Sequence, residues 1–272
     1  MAKTVFITGA SRGFGKLWTE ALLQKGYNVA ATARNISSLD ELADKYNGKI
    51  LPLELDVTDR NSVFKTVERV KEHFGSIDIL INNAGYGLFG TLEENTEEEV
   101  RQQMETNFFG LVWVTQAVVP IMREQGRGHI IQLSSALGLI SFPTLGVYSA
   151  SKFAVEGLSE SLAAEVKGFG IKVTIVEPNE FSTEWGGASA KSSSALPVYE
   201  NVRTEFFALL SDDLVGIPEA TVPAVLKLIE SKNPPLRLFL GKAGFPMVKY
   251  AYENRFSEWE SWSEIANAAH GK

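Results

Sequence analysis

Short apolar, β-branched runs alternate with longer amphipathic stretches along most of the chain. The apolar runs predict strands at 4–8, 28–33, 50–55, 77–81, 129–133, 172–177 and 237–240. The amphipathic stretches between them predict helices at 16–25, 61–74, 96–123, 148–167 and 219–230. Strands and helices that alternate at these lengths indicate a parallel sheet covered by helices on both faces. Because no repeat or domain boundary interrupts the pattern, we expect an α/β fold with a single domain over 1–272.

Two stretches depart from this alternation. Residues 182–202 are rich in Ser, Ala and Gly, and they contain Trp185 and Tyr199. A long insert of this kind beside a site is predicted to be a substrate lid, with a disordered surface loop as the alternative. Residues 245–272 form an aromatic tail that we predict to be helical and expect to pack on the domain or on a partner subunit, with ligand binding as the alternative. The aromatic residues of the tail include Tyr250, Tyr252, Phe256, Trp259 and Trp262.

Composition and charge narrow the class of protein. Of the 272 residues, 44% are hydrophobic and 22% are charged, which is typical of a globular protein. The net charge of −7, with no cluster of Lys or Arg, argues against a nucleic-acid surface. The chain has no cysteine, which excludes disulfides and thiol catalysis. Its histidines, His73, His129 and His270, lack metal-ligand spacing, so we expect a small-molecule partner and no metal.

The hydropathy pattern also bears on location. No apolar run approaches the ~18 residues that a membrane-spanning helix needs. The first residues run directly into a predicted strand and do not resemble a secretory leader. The sequence therefore predicts a cytoplasmic protein that does not associate with membranes.

A glycine-rich turn joins the first predicted strand to the first predicted helix. It reads Thr-Gly-Ala-Ser-Arg-Gly-Phe-Gly, with its glycines at positions 9, 13 and 15. Glycines permit a tight turn and a close backbone approach, so a pyrophosphate can bind the free N–H groups at the positive end of the helix. The spacing differs from the Gly-x-Gly-x-x-Gly fingerprint, and a purely structural turn is the alternative.

Arg34 follows the second predicted strand, where a dinucleotide site commonly has a carboxylate for the ribose 2′-hydroxyl. Together with Arg12 in the glycine turn, it suits a 2′-phosphate, because each guanidinium offers a bidentate fork to phosphate oxygens. NADP(H) is therefore predicted over NAD(H), which remains the alternative, as does a solvated strand-end charge at Arg34. Asp56 follows the third strand and either accepts a hydrogen bond from an adenine amino group or caps the next turn.

Tyr148 and Lys152 stand four residues apart at the start of a predicted helix. In a helix this spacing places the phenol and the ammonium on one face, where the ammonium lowers the pKa of the phenol. A phenol with a lowered pKa can act as a general acid or base, although a surface tyrosine beside a lysine stem is the structural alternative. Ser135 follows the fifth strand. Asn107 lies inside a predicted helix, which indicates either an exposed face or a polar contact.

In this order and spacing, the motifs resemble those of the short-chain dehydrogenase/reductase family from about residue 4 to residue 240. The shared features are Thr-Gly-x-x-x-Gly-x-Gly at 8–15, Asn-Asn-Ala-Gly at 82–85, Asn107, Ser135 and Tyr-x-x-x-Lys at 148–152. The resemblance implies a Rossmann-like doubly wound parallel sheet of seven strands. It also implies hydride transfer between a nicotinamide and a carbonyl or alcohol carbon, and a homodimer or homotetramer formed through the helices that contain Asn107 and Lys152.

The resemblance implies a role for each catalytic residue. Tyr148 would donate the proton in reduction, and Ser135 would hydrogen-bond the substrate oxygen. Lys152 would lower the pKa of the phenol and bind the nicotinamide ribose, while Asn107 would hold a water of the proton relay. These donors converge on the substrate oxygen because hydride transfer leaves negative charge there.

The cofactor and substrate sites are implied in the same way. The predicted cofactor contacts are Gly9, Ser11, Arg12, Gly13, Phe14, Gly15, Arg34, Asp56, Val57, Asn83, Ala84, Gly85, Tyr148, Lys152, Pro178, Phe181 and Thr183. The predicted substrate pocket consists of Ser135, Leu137, Phe142, Tyr148, Asn179, Glu180 and Trp185.

One segment departs from the family's pattern. After the sixth strand the family usually has Pro-Gly, whereas this chain has Pro178, Asn179 and Glu180, with Thr183 in its usual place. Asparagine tolerates a positive φ better than most residues, so we expect the backbone path to be kept. We hypothesise that Asn179 and Glu180 reshape the substrate pocket, with neutral drift as the alternative.

The sequence thus predicts an NADP(H)-preferring oxidoreductase of the carbonyl reductase or ketoreductase type, acting on a ketone, an aldehyde or a secondary alcohol. One alternative is a non-catalytic regulator that senses NADP(H), but a sensor has no need of the complete set Tyr148, Lys152, Ser135 and Asn107. Another alternative is an epimerase or dehydratase of sugar nucleotides, but the stretch after the last predicted strand is short for a substrate domain.

Overall fold

The alternating segments form strands and helices in the computed structural model, which describes residues 2–187, 190–208 and 212–271. The strands in chain order are β1 Thr4–Ile7, β2 Asn28–Ala33, β3 Ile50–Glu54, β4 Ile79–Asn82, β5 Leu88–Phe89, β6 Gly128–Leu133, β7 Ile171–Pro178, β8 Lys191–Ser192 and β9 Arg237–Leu240. The helices are α1 Gly13–Gln24, α2 Asp40–Lys45, α3 Arg60–Phe74, α4 Glu97–Met104, α5 Gly110–Gln125, α6 Gly146–Val166, α7 Glu200–Ala208, α8 Val222–Glu230, α9 Gly244–Ser261 and α10 Ser263–Ala268.

The central sheet has seven parallel strands in the order β3-β2-β1-β4-β6-β7-β9. Val5 of β1 lies opposite Val29 of β2 on one side and Ile79 of β4 on the other. The strand order reverses at β1, and ligands of open α/β sheets bind in the crevice that such a reversal leaves at the carboxyl ends. The predicted Rossmann-like doubly wound sheet is therefore confirmed.

Apolar side chains cover both faces of this sheet. On one face, Val5 and Ile7 pack in a cluster with Trp18 of α1. On the other face, Phe6 packs in a cluster with Val67 of α3 and further side chains of α5. Because strand residues point alternately to opposite faces, a strand that is apolar throughout requires this double cover.

The helix predicted at 96–123 is interrupted. Thr96 and Glu99 form the capping box expected at its start, and that prediction is confirmed. The segment Glu105–Phe109 then has π-helical geometry and separates α4 from α5. A π-bulge inserts one residue into the helical repeat and re-aims the side chains around it, which sequence periodicity does not reveal.

Several predicted boundaries move by a few residues. α1 starts at Gly13, inside the glycine turn, three residues before the predicted start. β4 starts at Ile79 and not at Ile77, because the Ile77 N–H donates to the Gln125 side chain and not to a neighbouring strand. The sequence does not predict the helices α2 and α7, whereas α9 and α10 lie in the tail that is predicted to be helical.

The predicted lid, 182–202, includes residues 188 and 189, which lie outside the described residues. The described part contains ordered elements. In particular, β8 pairs in parallel with β5, with Leu88 opposite Lys191. A 3₁₀ turn at Pro197–Tyr199 then leads into α7.

The aromatic tail forms α9 and α10, and its two ends differ in burial. Val248, Met247 and Tyr252 pack against the segment that follows Ser135. Trp259 and Trp262 are 57% and 61% exposed. The tail therefore packs on the domain along its first turns only.

Membrane-spanning helices and metal sites are absent from the part of the chain that the structure describes. None of the helices there combines the length and apolar character needed to cross a bilayer. No group of three or more His, Asp or Glu side chains in the same part of the chain is arranged to hold a metal ion.

Candidate active site

A cavity of about 760 Å³ opens at the carboxyl ends of β1, β4, β6 and β7. Every residue predicted to contact cofactor or substrate lines it except Gly15. The predicted relay residue Asn107 is also absent from the lining. Segments that are distant in sequence therefore meet at one crevice.

The glycine turn is held by close backbone packing. Gly9 and Gly13 have φ angles of 69° and 51°, in the left-handed region that favours glycine. A Cβ on Gly15 would lie 2.1 Å from the Gly9 carbonyl oxygen, so only glycine fits there. The Asn83 side chain donates hydrogen bonds to the carbonyl oxygens of Thr8 and Gly9, both at 2.9 Å. Gly15 thus supports the turn from beneath and does not face the cavity.

Arg12 and Arg34 both line the cavity and are exposed. Neither makes an ion pair with any other residue in the described part of the chain. Their charges are therefore available to an anion in the cavity. The glycine turn, the start of α1 and these guanidinium groups fit a dinucleotide phosphate in size and charge.

Asp56 combines the two interpretations left open by the sequence. Its Oδ1 accepts hydrogen bonds from the Thr58 N–H at 2.9 Å and from the Thr58 hydroxyl at 2.8 Å, which is the capping role. It also lines the cavity, beside Val57.

Tyr148, Ser135 and Lys152 are brought together from α6 and from the end of β6. Their exposed fractions are 4%, 8% and 6%. The Ser135 hydroxyl lies close enough to the phenol to lower its pKa, and it also accepts a hydrogen bond from the Leu137 N–H at 3.1 Å. The Lys152 ammonium donates to the Leu133 carbonyl oxygen at 2.8 Å and lies 5.8 Å from the centre of the Tyr148 ring.

Burial controls the ionisation of Tyr148 and Lys152. It raises the pKa of Tyr148 well above its ordinary value, and the nearby Ser135 hydroxyl only partly opposes that rise. The shift is therefore opposite to the lowering by Lys152 that the sequence predicts, because the desolvation of a buried phenolate outweighs a cation directed at a backbone carbonyl. Burial also lowers the pKa of Lys152 to about 8, and Glu156 opposes that shift.

Asn107 lies behind the cavity, in the π-helical segment, and is 1% exposed. Its Nδ2 donates to the Tyr86 carbonyl oxygen at 2.9 Å and to the Ser151 hydroxyl at 3.2 Å. Its Oδ1 accepts from the Tyr86 N–H at 3.1 Å. The polar contact expected for a mid-helix asparagine is therefore a clamp on the backbone of Tyr86, next to Gly85 and the wall of the cavity.

The start of the predicted lid lies close to the glycine turn. A Cβ on Gly13 would lie 3.8 Å from Thr183, whose hydroxyl accepts from the Trp185 N–H at 3.2 Å. The Trp185 ring lies 4.9 Å from the Tyr148 ring, centre to centre. Phe181 packs edge-on against Phe14 of α1. This segment therefore touches both the glycine turn and the phenol of Tyr148.

Asn179 does not have the positive φ for which asparagine was considered suitable, since Thr144 is the only non-glycine described with a positive φ. Its Nδ2 donates to the carbonyl oxygens of Glu180 and Leu214, at 2.8 and 3.1 Å, and its Oδ1 accepts from the Ala243 N–H at 3.3 Å. Asn179 therefore joins the end of β7 to the segments before α8 and α9. Glu180 is exposed at the rim of the cavity.

Several cavity residues were not identified from the sequence. Phe206 of α7 packs in a cluster with Phe142 and Tyr148. Phe89 of β5 and Met247 of α9 also line the cavity. Each is a single apolar residue in an otherwise ordinary element, and no local signal distinguishes it from a core residue.

Comparisons with known proteins identify the family of the chain. The family described as short chain dehydrogenase matches residues 3–193. A 3-ketodihydrosphingosine reductase from Bacteroides thetaiotaomicron is 41% identical over 264 residues, which cover 95% of this chain and 92% of that protein.

Two solved structures are similar in fold and sequence. A short-chain dehydrogenase from Streptomyces avermitilis superposes with a TM-score of 0.92 at 36% identity, covering 98% of each chain. A short-chain dehydrogenase from Burkholderia cenocepacia in complex with NADP has a TM-score of 0.76 at 26% identity, covering 96% of this chain and 97% of that one.

Proposed function

Because the chain belongs to the short-chain dehydrogenase family of oxidoreductases, we propose that it reduces a ketone or an aldehyde with NADPH. In the reverse direction it would oxidise the corresponding alcohol with NADP⁺. The observation that carries the proposal is the pairing of Ser135 with Tyr148, both buried at the wall of the cavity. Two hydroxyl groups that meet at the wall of a cavity suit an oxygen that gains negative charge. When bound, NADP(H) supplies the hydride equivalent.

Tyr148 holds the proton that the substrate oxygen receives in reduction. Its raised pKa keeps the phenol protonated, which is the form a proton donor requires. Ser135 orients the same oxygen. The Lys152 charge lies on the same face of α6, where it stabilises the phenolate after the proton has left.

Asn107 acts through its contacts with the backbone. It fixes Tyr86, and thereby the Asn83–Gly85 wall against which a nicotinamide would lie. The relay water expected of Asn107 remains part of the proposal, since the Oδ1 of an amide can accept a second hydrogen bond.

NADP(H) is the proposed cofactor because Arg12 and Arg34 face the cavity with no ion-pair partner in the described residues. A 2′-phosphate would receive charge-assisted hydrogen bonds from both guanidinium groups. The NADP complex of the Burkholderia cenocepacia protein supports this preference. NAD(H) remains the alternative, to be decided by comparing kcat/KM for the two cofactors.

The proposed substrate has an extended apolar part. The wall beyond Tyr148 consists of aromatic and aliphatic side chains, among them Phe142, Phe206 and Trp185. Desolvation of an apolar chain there would favour binding. The similarity to the 3-ketodihydrosphingosine reductase from Bacteroides thetaiotaomicron also supports this proposal for the substrate. We further propose a cytoplasmic homodimer or homotetramer, which size-exclusion chromatography with light scattering would identify.

The test is a screen of NADPH oxidation against ketones and aldehydes of increasing alkyl length, run with the natural chain and with Tyr148→Phe. We expect turnover that improves with chain length. We expect Tyr148→Phe to lose at least about 100-fold in kcat while still binding NADPH, since general acid catalysis contributes about 10²–10⁴-fold. Tight NADPH binding with no turnover of any substrate would indicate a sensor and would contradict the proposal.

A further inference from the structure

A buried carboxyl group follows the proposed catalytic residues on α6. Tyr148, Lys152 and Glu156 recur every four residues, which puts them on one face of the helix. Glu156 is only 4% exposed. The chemistry proposed above uses the first two of these residues and leaves the third without a role.

Glu156 belongs to a cluster that joins α6 to two strands. Arg237 of β9 places Nη2 3.2 Å from Glu156 Oε2 and Nε 3.2 Å from Glu177 Oε1. Glu177 of β7 is fully buried. The same guanidinium also reaches Glu160 at 3.3 Å, and that side chain is 63% exposed. Two buried carboxyl groups therefore share one cation.

The segment that carries Ser135 packs directly on Glu156. A Cβ on Gly138 would lie 2.6 Å from the Ser134 hydroxyl and 2.9 Å from Glu156 Cγ. Glycine at 138 thus leaves the room that the Glu156 side chain occupies. The carboxyl group sits behind the active-site wall and not at the protein surface.

The charges of this cluster constrain its protonation. Burial and the neighbouring Glu156 raise the pKa of Glu177 to about 8, with Arg237 opposing. Burial likewise raises the pKa of Glu156, while Ser134, Arg237 and Lys152 oppose it. Because Glu177 keeps its proton up to about pH 8, the two buried carboxyl groups beside Arg237 hold one proton between them near neutral pH.

We propose that Glu156 and Glu177 share one proton, and that the negative charge left on the pair keeps the Lys152 amine in its charged form. The charged groups facing the pair are Lys152 and Glu160 on α6 and Arg237 on β9. With one shared proton, the two cations are balanced by the pair and by Glu160. Glu156 is thus a positioning residue that acts on the charge of Lys152 and does not touch the substrate.

Glu156 and Glu177 lie on different elements and differ in their position relative to Lys152. Glu156 lies one helical turn from the lysine and opposes the fall in its pKa that burial causes. Glu177 lies on β7, and no effect of it on the lysine is resolved. Removal of Glu177 leaves Glu156 free to carry the full charge beside the lysine. Removal of Glu156 moves the charge away.

The experiment compares Glu156→Gln, Glu177→Gln and the exposed control Glu160→Gln. The pKa of Lys152 is followed by NMR titration of isotope-labelled lysine, with its signal assigned by loss in Lys152→Arg. We expect Glu156→Gln to lower that pKa by about one unit or more, the scale for losing an opposite charge within a few ångströms. We expect Glu160→Gln to leave it unchanged, and Glu177→Gln to leave it no lower than in the natural chain, because Glu156 then carries the full charge. Equal shifts in the two buried variants, or no shift in Glu156→Gln, would overturn the proposal.

The consequence for turnover rests on the proposed function, but the titration does not, so the two can fail separately. If the reductase activity is present, the alkaline limb of the kcat profile should move to lower pH in Glu156→Gln only. Thermal unfolding checks that the variants are folded. Should Glu156→Gln not fold, Glu156→Asp is the second variant, because it keeps the charge on a side chain that is shorter by one methylene. It should lower the lysine pKa by a smaller amount, and an unchanged value would contradict the proposal.

Discussion

The two sides of the cavity are built in different ways. The side proposed to bind the dinucleotide, which we call the dinucleotide side, consists of turns that directly follow β1, β2, β3 and β4, and its geometry is set by backbone packing such as the contact between Gly15 and Gly9. The side proposed to bind the substrate, which we call the substrate side, is assembled from β5, the described parts of 182–208 and α9, which are remote from one another in sequence. The first side is a property of the sheet, whereas the second depends on side-chain contacts between separate segments.

A buried ion pair holds the substrate side together. Glu94 accepts hydrogen bonds from the Thr91 N–H at 2.8 Å and the Leu196 N–H at 2.7 Å, and it pairs with Arg203 of α7. These hydrogen bonds, first that of Leu196 and then that of Thr91, lower the pKa of Glu94 to about 2. We call these four residues the latch. The latch joins the segment after β5 to the segment that leads into α7.

Because the two sides are built from different segments, we expect that cofactor affinity and substrate affinity can be changed separately. A change in the glycine turn should act on NADPH binding, and a change in the latch should act on substrate binding. The following variants test whether a change on one side leaves the other side unaffected.

The largest effect is expected from Gly15→Ala. Its Cβ would lie 2.1 Å from the Gly9 carbonyl oxygen and 2.6 Å from Asn83 Nδ2, so the turn must move. We expect NADPH binding to be lost and the free energy of unfolding to fall by about 1–3 kcal/mol, the range for overpacking a tight site. Fluorescence titration and chemical denaturation measure both. The matched control is Gly157→Ala on α6, where a Cβ meets nothing within 4 Å; unaltered NADPH affinity in Gly15→Ala would contradict the account of the turn.

Arg34→Ala should act next most strongly, and on one cofactor only. Loss of a charge-assisted hydrogen bond worth about 1.5–3 kcal/mol corresponds to an increase of roughly 10–100-fold in KM for NADPH. The KM for NADH should stay nearly constant, because NADH has no 2′-phosphate. Arg69→Ala, an exposed arginine on α3, is the control. Equal changes for the two cofactors would mean that Arg34 does not read the 2′-phosphate.

Arg203→Met should weaken the substrate side by a smaller amount. It leaves Glu94 buried without its guanidinium, so we expect KM for the carbonyl substrate to rise about tenfold, in line with about 1–3 kcal/mol for an unpaired buried group. NADPH affinity should not change. Arg101→Met removes an exposed pair with Glu97 and serves as the control. A rise in the NADPH dissociation constant that matched the rise in substrate KM would refute the separation of the two sides.

The latch also predicts a pH dependence. The pKa of Glu94 is lowered by folding, so the stability it contributes is present above its ordinary pKa and is lost as the pH falls towards about 2. Because Glu94 stays ionised throughout the neutral pH range, its titration should not change the substrate KM there. A titration of KM in that range that disappears in Glu94→Gln would show that the carboxylate is not held in this way.

The smallest effect is expected in the exposed half of the tail. Trp259 is 57% exposed, so Trp259→Ala should change the free energy of unfolding by less than about 0.5 kcal/mol. Trp18, which is 1% exposed, provides the contrast, because loss of a buried tryptophan costs about 3–5 kcal/mol. Strong destabilisation by Trp259→Ala would mean that this part of the tail is covered in solution.

Much of the fold and of the dinucleotide side could be predicted from the sequence. The turn from Thr8 to Gly15 is a continuous stretch, and Tyr148 and Lys152 lie within one helical turn, so their proximity follows from local geometry. The latch could not be predicted in this way. Arg203 and Glu94 are 109 residues apart, and their meeting depends on how β5 and β8 pair.

The alternation of strands and helices, the glycine turn and the spacing of Tyr148 and Lys152 follow from the amino-acid sequence, because each depends on neighbours within a few positions. The folded chain was needed to show which residues wall the substrate side, that the pKa of Tyr148 is raised and not lowered, and that Glu156 and Glu177 meet at Arg237. Packing and desolvation account for this difference. The ionisation of a buried group and the partners it finds depend on everything packed around it, and most of that packing comes from distant parts of the chain.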